Sequence, residues 1–515
     1  MLALNGGNLV SPVVPRPDPP LDCVQAEDWP SRSTADAVVV GSGAGGAMAA
    51  RALAQAGMRV TVIEEGEHHT TASFARGTPL DRFVRLYRDG GATFAYGNPP
   101  LLLPSGRAVG GTTVVNSGTC YRTPDRVVRR WNATFGFSLA DQLASHLDEV
   151  ERDLNVRSAS MDVLGRNGEL ALSGARKLGW QAEPLRRNAV GCAGSCQCVV
   201  GCPTGAKQSM QVSILPHACA AGARIVTRAR VLRVLVDRDR PGGPRAAGVR
   251  VKRADGSELE ILAPLVVVAA GSLETPPLLR RSGLGSHPRI GRNLSVHPAV
   301  SVAGRFDEPV RPWKGVMQSA GIEEWHAQGI LLEATSAPPG MGSFVLPGTG
   351  RDLRRELLES DHLATLGAMI ADRPSGRVLG RQGAHVHYAL DPSDGRRLIS
   401  ALRAAGSVLF AAGASEVLTG IPAAPAARSE KELEDLLTNT VPRQLHLSAF
   451  HPTGTVAAGG NPQQTPCDPQ GRLRGIRGVL IADGSVLPSC PEVNPQLSIM
   501  AASLAIASTW LSSEG

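Results

Sequence analysis

Between Asp36 and Gly66 the apolar positions change period twice. ADAVVVGSG is a continuous apolar run ending in glycine, which predicts a strand buried on both faces and a tight turn. AGGAMAARALAQAG carries small and apolar residues at helical spacing as far as Gly57. MRVTVIEEG predicts a second buried strand. Strand, helix, strand in this order predicts a parallel βαβ unit, because parallel strands need a crossover. Further on, Ala223 to Asp237 alternates apolar and polar residues like paired strands. GVRVKRADGSELEILAPLVVVAAGS predicts a hairpin about Asp255-Gly256 followed by a buried strand. A short helix from Thr275 is closed by glycine. From about 300 to 440 the pattern mixes strands such as HVHYAL with helices such as Arg396 to Ala412, and a final helix is expected from Ser498 to Leu511. No internal repeat is visible, and no run of about 18 apolar residues predicts a membrane span.

The chain has 515 residues, more than one core usually supports, so two packed domains are expected. Apolar residues are 42% and charged residues 19% of the sequence, a globular composition. The net charge of +7 is dispersed and almost entirely arginine, without the block of like charges that nucleic-acid arms carry. A basic surface is compatible with peripheral contact with anionic membranes. The N-terminus lacks a basic stretch followed by an apolar one, so no secretory leader is expected and a cytoplasmic location follows. Ser11 to Pro20 is proline-rich and reads as an extended lead-in.

Gly41, Gly43 and Gly46 form G-x-G-x-x-G directly after the first strand, with Ala44 opening the helix. The first glycine permits the turn, the second lets a pyrophosphate approach the backbone, and the third lets helix and strand pack closely. The helix start offers free N–H groups to phosphate. Glu64 closes the second strand, about 20 residues on, where a carboxylate accepts from a ribose hydroxyl. Strand, helix, strand and acid together point to a dinucleotide site without distinguishing FAD from NAD.

Five further segments lie in a telling order. GRAVGGTTVVNSGT (Gly106 to Thr119), AAGSLETPPLLRRSG (Ala269 to Gly283), IGRNLSVHP (Ile290 to Pro298), AFHPTGTVAAGG and GVLIADGSVLP…NPQLSIMAASLAIA resemble successive motifs of the glucose–methanol–choline (GMC) oxidoreductases. GILLEATSAPPG (Gly329 to Gly340) and the cysteine-rich GCAGSCQCVVGCPTGAKQS (Gly191 to Ser209) are similar to the branch holding cholesterol oxidases and long-chain alcohol oxidases or dehydrogenases. The resemblance implies an α/β, two-domain fold: a Rossmann-type FAD-binding domain with a mainly parallel sheet, and a substrate-binding domain with an antiparallel sheet and helices. After a lead-in over 1–32, the FAD domain is expected over 33–150, 190–300 and 441–515, and the substrate domain over 151–189 and 301–440. Gly110 and Gly111 would let the flavin lie against backbone, with Thr112 and Thr113 donating to the pyrophosphate and Asn116 reaching the ring. Val231 resembles the position whose backbone meets adenine, and Asp483 one near the ribityl chain. Val115 stands where some members carry a flavin-linked histidine, which implies non-covalent FAD.

Alcohol oxidation needs a proton acceptor, a donor that orients the oxygen, and a carbinol carbon close to flavin N5. His451 matches the family's active-site histidine, Asn494 its second active-site position, and Glu333 the glutamate of cholesterol oxidases. His451 and Asn494 are expected to hold the substrate oxygen, with Glu333 or His451 as base. The implied activity is oxidation of a bulky or long-chain apolar alcohol, with O₂ or another acceptor taking the electrons. Two alternatives stand beside it. One is a non-redox FAD-containing lyase on the same fold. The other is an iron–sulfur-linked dehydrogenase built on Cys192, Cys196, Cys198 and Cys202. The C-x3-C-x-C-x3-C spacing lacks the usual metal pairing, so packed thiols or one local disulfide are expected there, and no metal.

Overall fold

A computed structural model describes residues 15–239, 241–341, 346 and 350–514. Residues 1–14 of the expected lead-in therefore lie outside the described residues. Six parallel strands form one sheet in the order Cys23–Gln25, Arg224–Thr227, Val60–Ile63, Ala37–Val40, Leu265–Val268, Val479–Ile481. The four inner strands are mostly Val and Ile because both faces are covered. Helices Ala44–Gln55, Leu143–Asp153 and Gln496–Glu514 supply that cover within one core. Cys23–Gln25, from within the expected lead-in, is one of the two outer strands.

Ala223 to Asp237 does contain two strands, but they do not pair with each other. Arg228 takes a left-handed conformation (φ 55°) and splits the run. Arg224–Thr227 enters the parallel sheet, while Arg230–Asp237 opens a separate four-stranded sheet with Arg245–Lys252, Glu258–Leu262 and Arg32–Thr34. Alternation reveals which face of a strand is buried, not its partner. The hairpin about Asp255-Gly256 forms as expected, between Arg245–Lys252 and Glu258–Leu262.

The larger second sheet is mainly antiparallel. Its centre is Ala299–Arg305, Leu363–Ile370, Ile330–Thr335 and Gln318–Ile322, side by side in that order. Side chains alternate cleanly. Val300, Val302, Leu366, Ala368, Leu332 and Ala334 point into a second core with residues of helices Met161–Lys177 and Pro392–Ala412. Ser301, Gly367, Glu333 and Thr335 point the other way and line a cavity. Short strands Phe94–Tyr96, Leu101–Leu102 and Leu447–Ser448 extend this sheet. The helix expected from Arg396 starts earlier, at Pro392, because Asp391 caps it by accepting from the Ser393 N–H at 2.8 Å. The last helix likewise starts at Gln496. No described helix is long and apolar enough to cross a membrane.

Candidate active site

The strand Ala37–Val40 runs into the first glycine turn, and the turn at Gly110 and Gly111 packs against it. A Cβ added at Gly111 would stand 2.7 Å from Gly43 Cα. One on Gly46 would stand 1.9 Å from the Gly41 carbonyl oxygen, so helix and strand can meet this closely only through glycine. Helix Ala44–Gln55 has no side-chain cap, which leaves its first N–H groups without helical partners. Ala44 and Gly45 border a cavity of about 430 Å³ that runs from this turn to the second sheet.

Glu64 is buried beside the turn. Its oxygens accept from the Ser42 N–H at 3.1 Å, the Ser42 hydroxyl at 2.6 Å and the Gly66 N–H at 2.8 Å. Burial pushes its carboxyl up against the pull of these donors. A carboxylate has about four acceptor sites, so room for one ribose hydroxyl remains. The Ser42 hydroxyl also accepts from the Gly110 N–H at 2.9 Å. Ser42 thus ties the acid to both glycine turns, a role its place as a variable position in the motif gave no hint of. Val231 lines the cavity near Glu64, its carbonyl accepting from Arg281 at 2.8 Å.

In the second turn the Thr113 hydroxyl is already committed. It donates to the Gly110 carbonyl at 2.6 Å and accepts from the Met210 N–H at 3.0 Å, so what it can offer a phosphate is its backbone N–H. The Thr112 hydroxyl accepts from the Gly106 N–H at 3.1 Å and keeps its own hydrogen. Asp483 accepts from the Gly271 N–H at 2.8 Å, the Thr275 hydroxyl at 2.6 Å, and both the N–H and hydroxyl of Ser485. Its four acceptor sites are thereby taken within the protein, and it clamps the Gly271 turn to the Gly484 turn.

At the far end of the same cavity stand His451, Asn494 and Glu333, joined by Asn116. His451 is half-buried, and loss of solvent around the ring pulls its imidazole down to about 4, so the ring is neutral. Its Nδ1 lies 3.3 Å from Nδ1 of His297, a buried ring held well below its usual range by burial. One of the two nitrogens carries the shared hydrogen. His297 sits in a segment quoted above for its resemblance, but nothing in the sequence marked it as a site residue. It is anchored through Asp372, which accepts from the His297 N–H at 3.0 Å and from the Tyr388 hydroxyl at 2.9 Å.

Glu333 is 5% exposed. Burial pushes its carboxyl up to about 7, against the side-chain amides of Asn494 and Gln318. A rise of that size costs the ionised form roughly 3 kcal/mol. Gln318 donates to Glu333 Oε2 at 3.2 Å, and its own amide oxygen accepts from the Thr119 hydroxyl at 2.5 Å, which fixes the amide's orientation. A β-bulge between Gln318 and Gly321 brings Gln318 onto the cavity face; without the extra residue it would point into the core. Asn494 sits just before the last helix, two residues after Glu492, whose carboxylate is held by Arg126 at 2.5 Å and Arg130 at 2.6 Å.

Asn116 Oδ1, Glu333 Oε1 and Asn494 Oδ1 are buried in the cavity wall without hydrogen-bond partners. Buried polar atoms are rarely left so, and their convergence fits a site that a cofactor and substrate complete. Of the residues singled out in the sequence, Gly46 and Gly110 shape the turns from behind the cavity lining, and Gly41, Gly43, Ala44, Glu64, Gly111, Thr112, Thr113, Asn116, Val231, Glu333, His451, Asp483 and Asn494 border it.

The four clustered cysteines lie beside this cavity. Cys196 and Cys198 are buried and pack with Met317. Cys198 Sγ accepts from Arg187 at 3.3 Å, and Cys202 Sγ is 3.2 Å from the Thr204 hydroxyl. All four are free thiols. Among the described residues, no group of three or more His, Cys, Asp or Glu side chains is arranged to hold a metal ion. Lys207, also buried, donates to the carbonyls of Val114, Asn116 and Cys198 at 2.9, 2.6 and 2.8 Å, and so braces the Asn116 segment from behind.

Two family profiles described as GMC oxidoreductase match residues 83–299 and 376–503, and one for an NAD(P)-binding Rossmann-like domain matches residues 39–97. A GMC-type oxidoreductase of Mycobacterium tuberculosis is 56% identical over 96% of this chain and 78% of its own length. The chain belongs to the GMC oxidoreductase family. A long-chain-alcohol oxidase of Arabidopsis thaliana is 32% identical to this GMC oxidoreductase over 93% of the chain and 67% of the plant protein. The crystal structure of pyridoxine 4-oxidase from Mesorbium loti shares the fold, with a TM-score of 0.68 at 19% identity, covering 93% of this chain and 99% of that one. FAD is the cofactor of this GMC oxidoreductase, and the two glycine turns, Glu64 and Asn116 are the residues that fit it. Gly46→Ala is expected to yield protein purified without its yellow colour, because the clash with backbone at Gly41 forces the helix away from the turn. The ratio of visible to protein absorbance after gel filtration checks this.

Proposed function

We propose that this GMC oxidoreductase oxidises an alcohol CH–OH group to a carbonyl, acting on a bulky or long-chain apolar alcohol. The observation that carries the reading is the meeting of a neutral imidazole, an amide and a carboxyl with one unpartnered oxygen in one buried wall of the cavity that begins at the dinucleotide turn. Bound there, FAD supplies the acceptor for the hydride. The roles of the protein's own groups divide by basicity. Glu333, held at about 7 by burial, is the better proton acceptor near neutral pH. His451, held at about 4, stays neutral and donates or accepts a hydrogen bond to fix the substrate oxygen. Asn494 holds the same oxygen from a second side. Met317, Met341, Met369 and Phe450 give the cavity an apolar wall suited to an apolar alcohol.

The test is an anaerobic screen of sterols, fatty alcohols and aromatic alcohols, read as loss of flavin absorbance. Bleaching by at least one class is expected. No bleaching by any of them would overturn the reading and favour a non-redox lyase. Hydrogen peroxide release in air identifies O₂ as the acceptor. Val115 has no side chain that could bond to a flavin, and the flavin is held non-covalently. Acid precipitation is accordingly expected to leave a colourless pellet and a yellow supernatant, and a yellow pellet would refute this. The nine free thiols support a reducing, cytoplasmic setting.

A further inference from the structure

Glu333 has glycine on both sides of it in the sheet. Across four neighbouring strands the paired residues at its level read Ser301, Gly367, Glu333, Gly321. A glycine inside a central strand gives up packing and conformational entropy, so each needs a reason. For Gly321 the reason is packing: a Cβ there would stand 2.3 Å from the Tyr121 hydroxyl. Gly367 has no such reason. Its backbone is not left-handed, and the nearest atoms to an added Cβ are Thr335 Oγ1 at 3.6 Å and the Glu333 carbonyl oxygen at 3.9 Å, ordinary contact distances. A side chain there would be accepted by the protein and would project into the cavity, which Gly367 lines together with Ala299 and Ser301. The space opens into the same cavity that Glu333 lines, and Glu333 Oε1 is a buried carboxyl oxygen without a partner. Paired residues in a sheet have their Cβ positions about 5 Å apart, so this space lies beside the reacting carbon and not at the far end of a long chain.

We propose that Gly367 is the residue that sets how much bulk the site accepts next to the carbinol carbon, and that the substrate is an alcohol with its hydroxyl on or beside a ring. This rests on the alcohol-oxidation reading above. A slender primary alcohol has no use for room beside the carboxyl; a ring does. Ser301 and Ala299 continue the same shallow floor away from Glu333, where the rest of a ring system would lie.

The experiment compares wild type with Gly367→Ala and Gly367→Val on a cyclic secondary alcohol and a straight-chain primary alcohol of equal carbon number. Gly367→Val is expected to lose at least about tenfold in kcat/KM on the cyclic alcohol, the scale of one or two misplaced methyl groups in a fitted pocket. The primary alcohol should change by less than about threefold, and Gly367→Ala should fall between. Flavin content and spectrum are expected to be unchanged. Equal losses on both alcohols, or no loss on the cyclic one, would overturn the proposal. Binding of the corresponding cyclic ketone, read from the perturbed flavin absorbance, needs no turnover. Gly367→Val is expected to weaken it at least about tenfold. Equal affinity in the two proteins overturns the proposal even if no alcohol bleaches the flavin, whereas that absence of bleaching would count against alcohol oxidation alone.

Discussion

His451→Ala protein mixed anaerobically with its alcohol should bleach at least about a hundred times more slowly than wild type while remaining fully yellow. The expectation separates two functions of one wall. The glycine turns, Glu64 and the Asn116 segment are the parts that fit FAD, and His451 touches none of them by a hydrogen bond; among the described residues its side chain has such a contact with His297. What the alanine removes is the group that fixes the substrate oxygen, and loss of one preorganised hydrogen bond at a reacting oxygen typically costs a factor of 10² to 10³. Stopped-flow absorbance gives the bleaching rate and the visible-to-protein absorbance ratio gives the flavin content. A variant that bleaches at the wild-type rate would remove His451 from the chemistry. A variant that has lost its colour would make it a structural residue.

The second large effect is expected from Glu333. A carboxyl raised to about 7 is mostly protonated below that pH and mostly ionised above it. Only the ionised form can take the hydroxyl proton. The bleaching rate should therefore rise tenfold per pH unit below about 7 and level off above it. His451, at about 4, adds no step between pH 5 and 9. Glu333→Gln keeps the shape and the contact with Gln318 but cannot accept a proton. It is expected to slow bleaching by about 10² to 10⁴ and to flatten the rise near pH 7. A profile that keeps its shape at reduced height would hand the proton to another group.

The βαβ unit of the nucleotide site, Asp36 to Gly66, was legible because every level of the sequence agrees there. The strands are continuous apolar runs, the glycines sit at fixed offsets, and an acid closes the unit. His451, Asn494 and Glu333 were legible only through their resemblance to known motifs; no spacing in the chain says that three residues separated by more than a hundred positions, in the case of Glu333 and His451, share a wall. The groups that support them were not legible at all. Ser42 occupies a variable position in its motif, and its hydroxyl acts through Gly110, far along the chain. Gln318 reaches Glu333 because of a bulge, which shifts the strand's alternation by one residue and so hides in any period-2 reading. Arg224–Thr227 and Arg230–Asp237 were misread as partners because pairing is decided by which strand lies alongside, and that is a property of the whole sheet.

The three residues Cys23–Gln25 pair with Arg224–Thr227 and form one flank of the parallel sheet. A shortened chain that began beyond Gln25 would leave the N–H of Ile225, which donates to the Asp22 carbonyl, facing water in an apolar run. Such a surface is a template for another molecule's backbone. The trimmed protein would be prone to stack on itself at high concentration even with its cofactor site untouched, and crystallisation or expression trials should keep this segment.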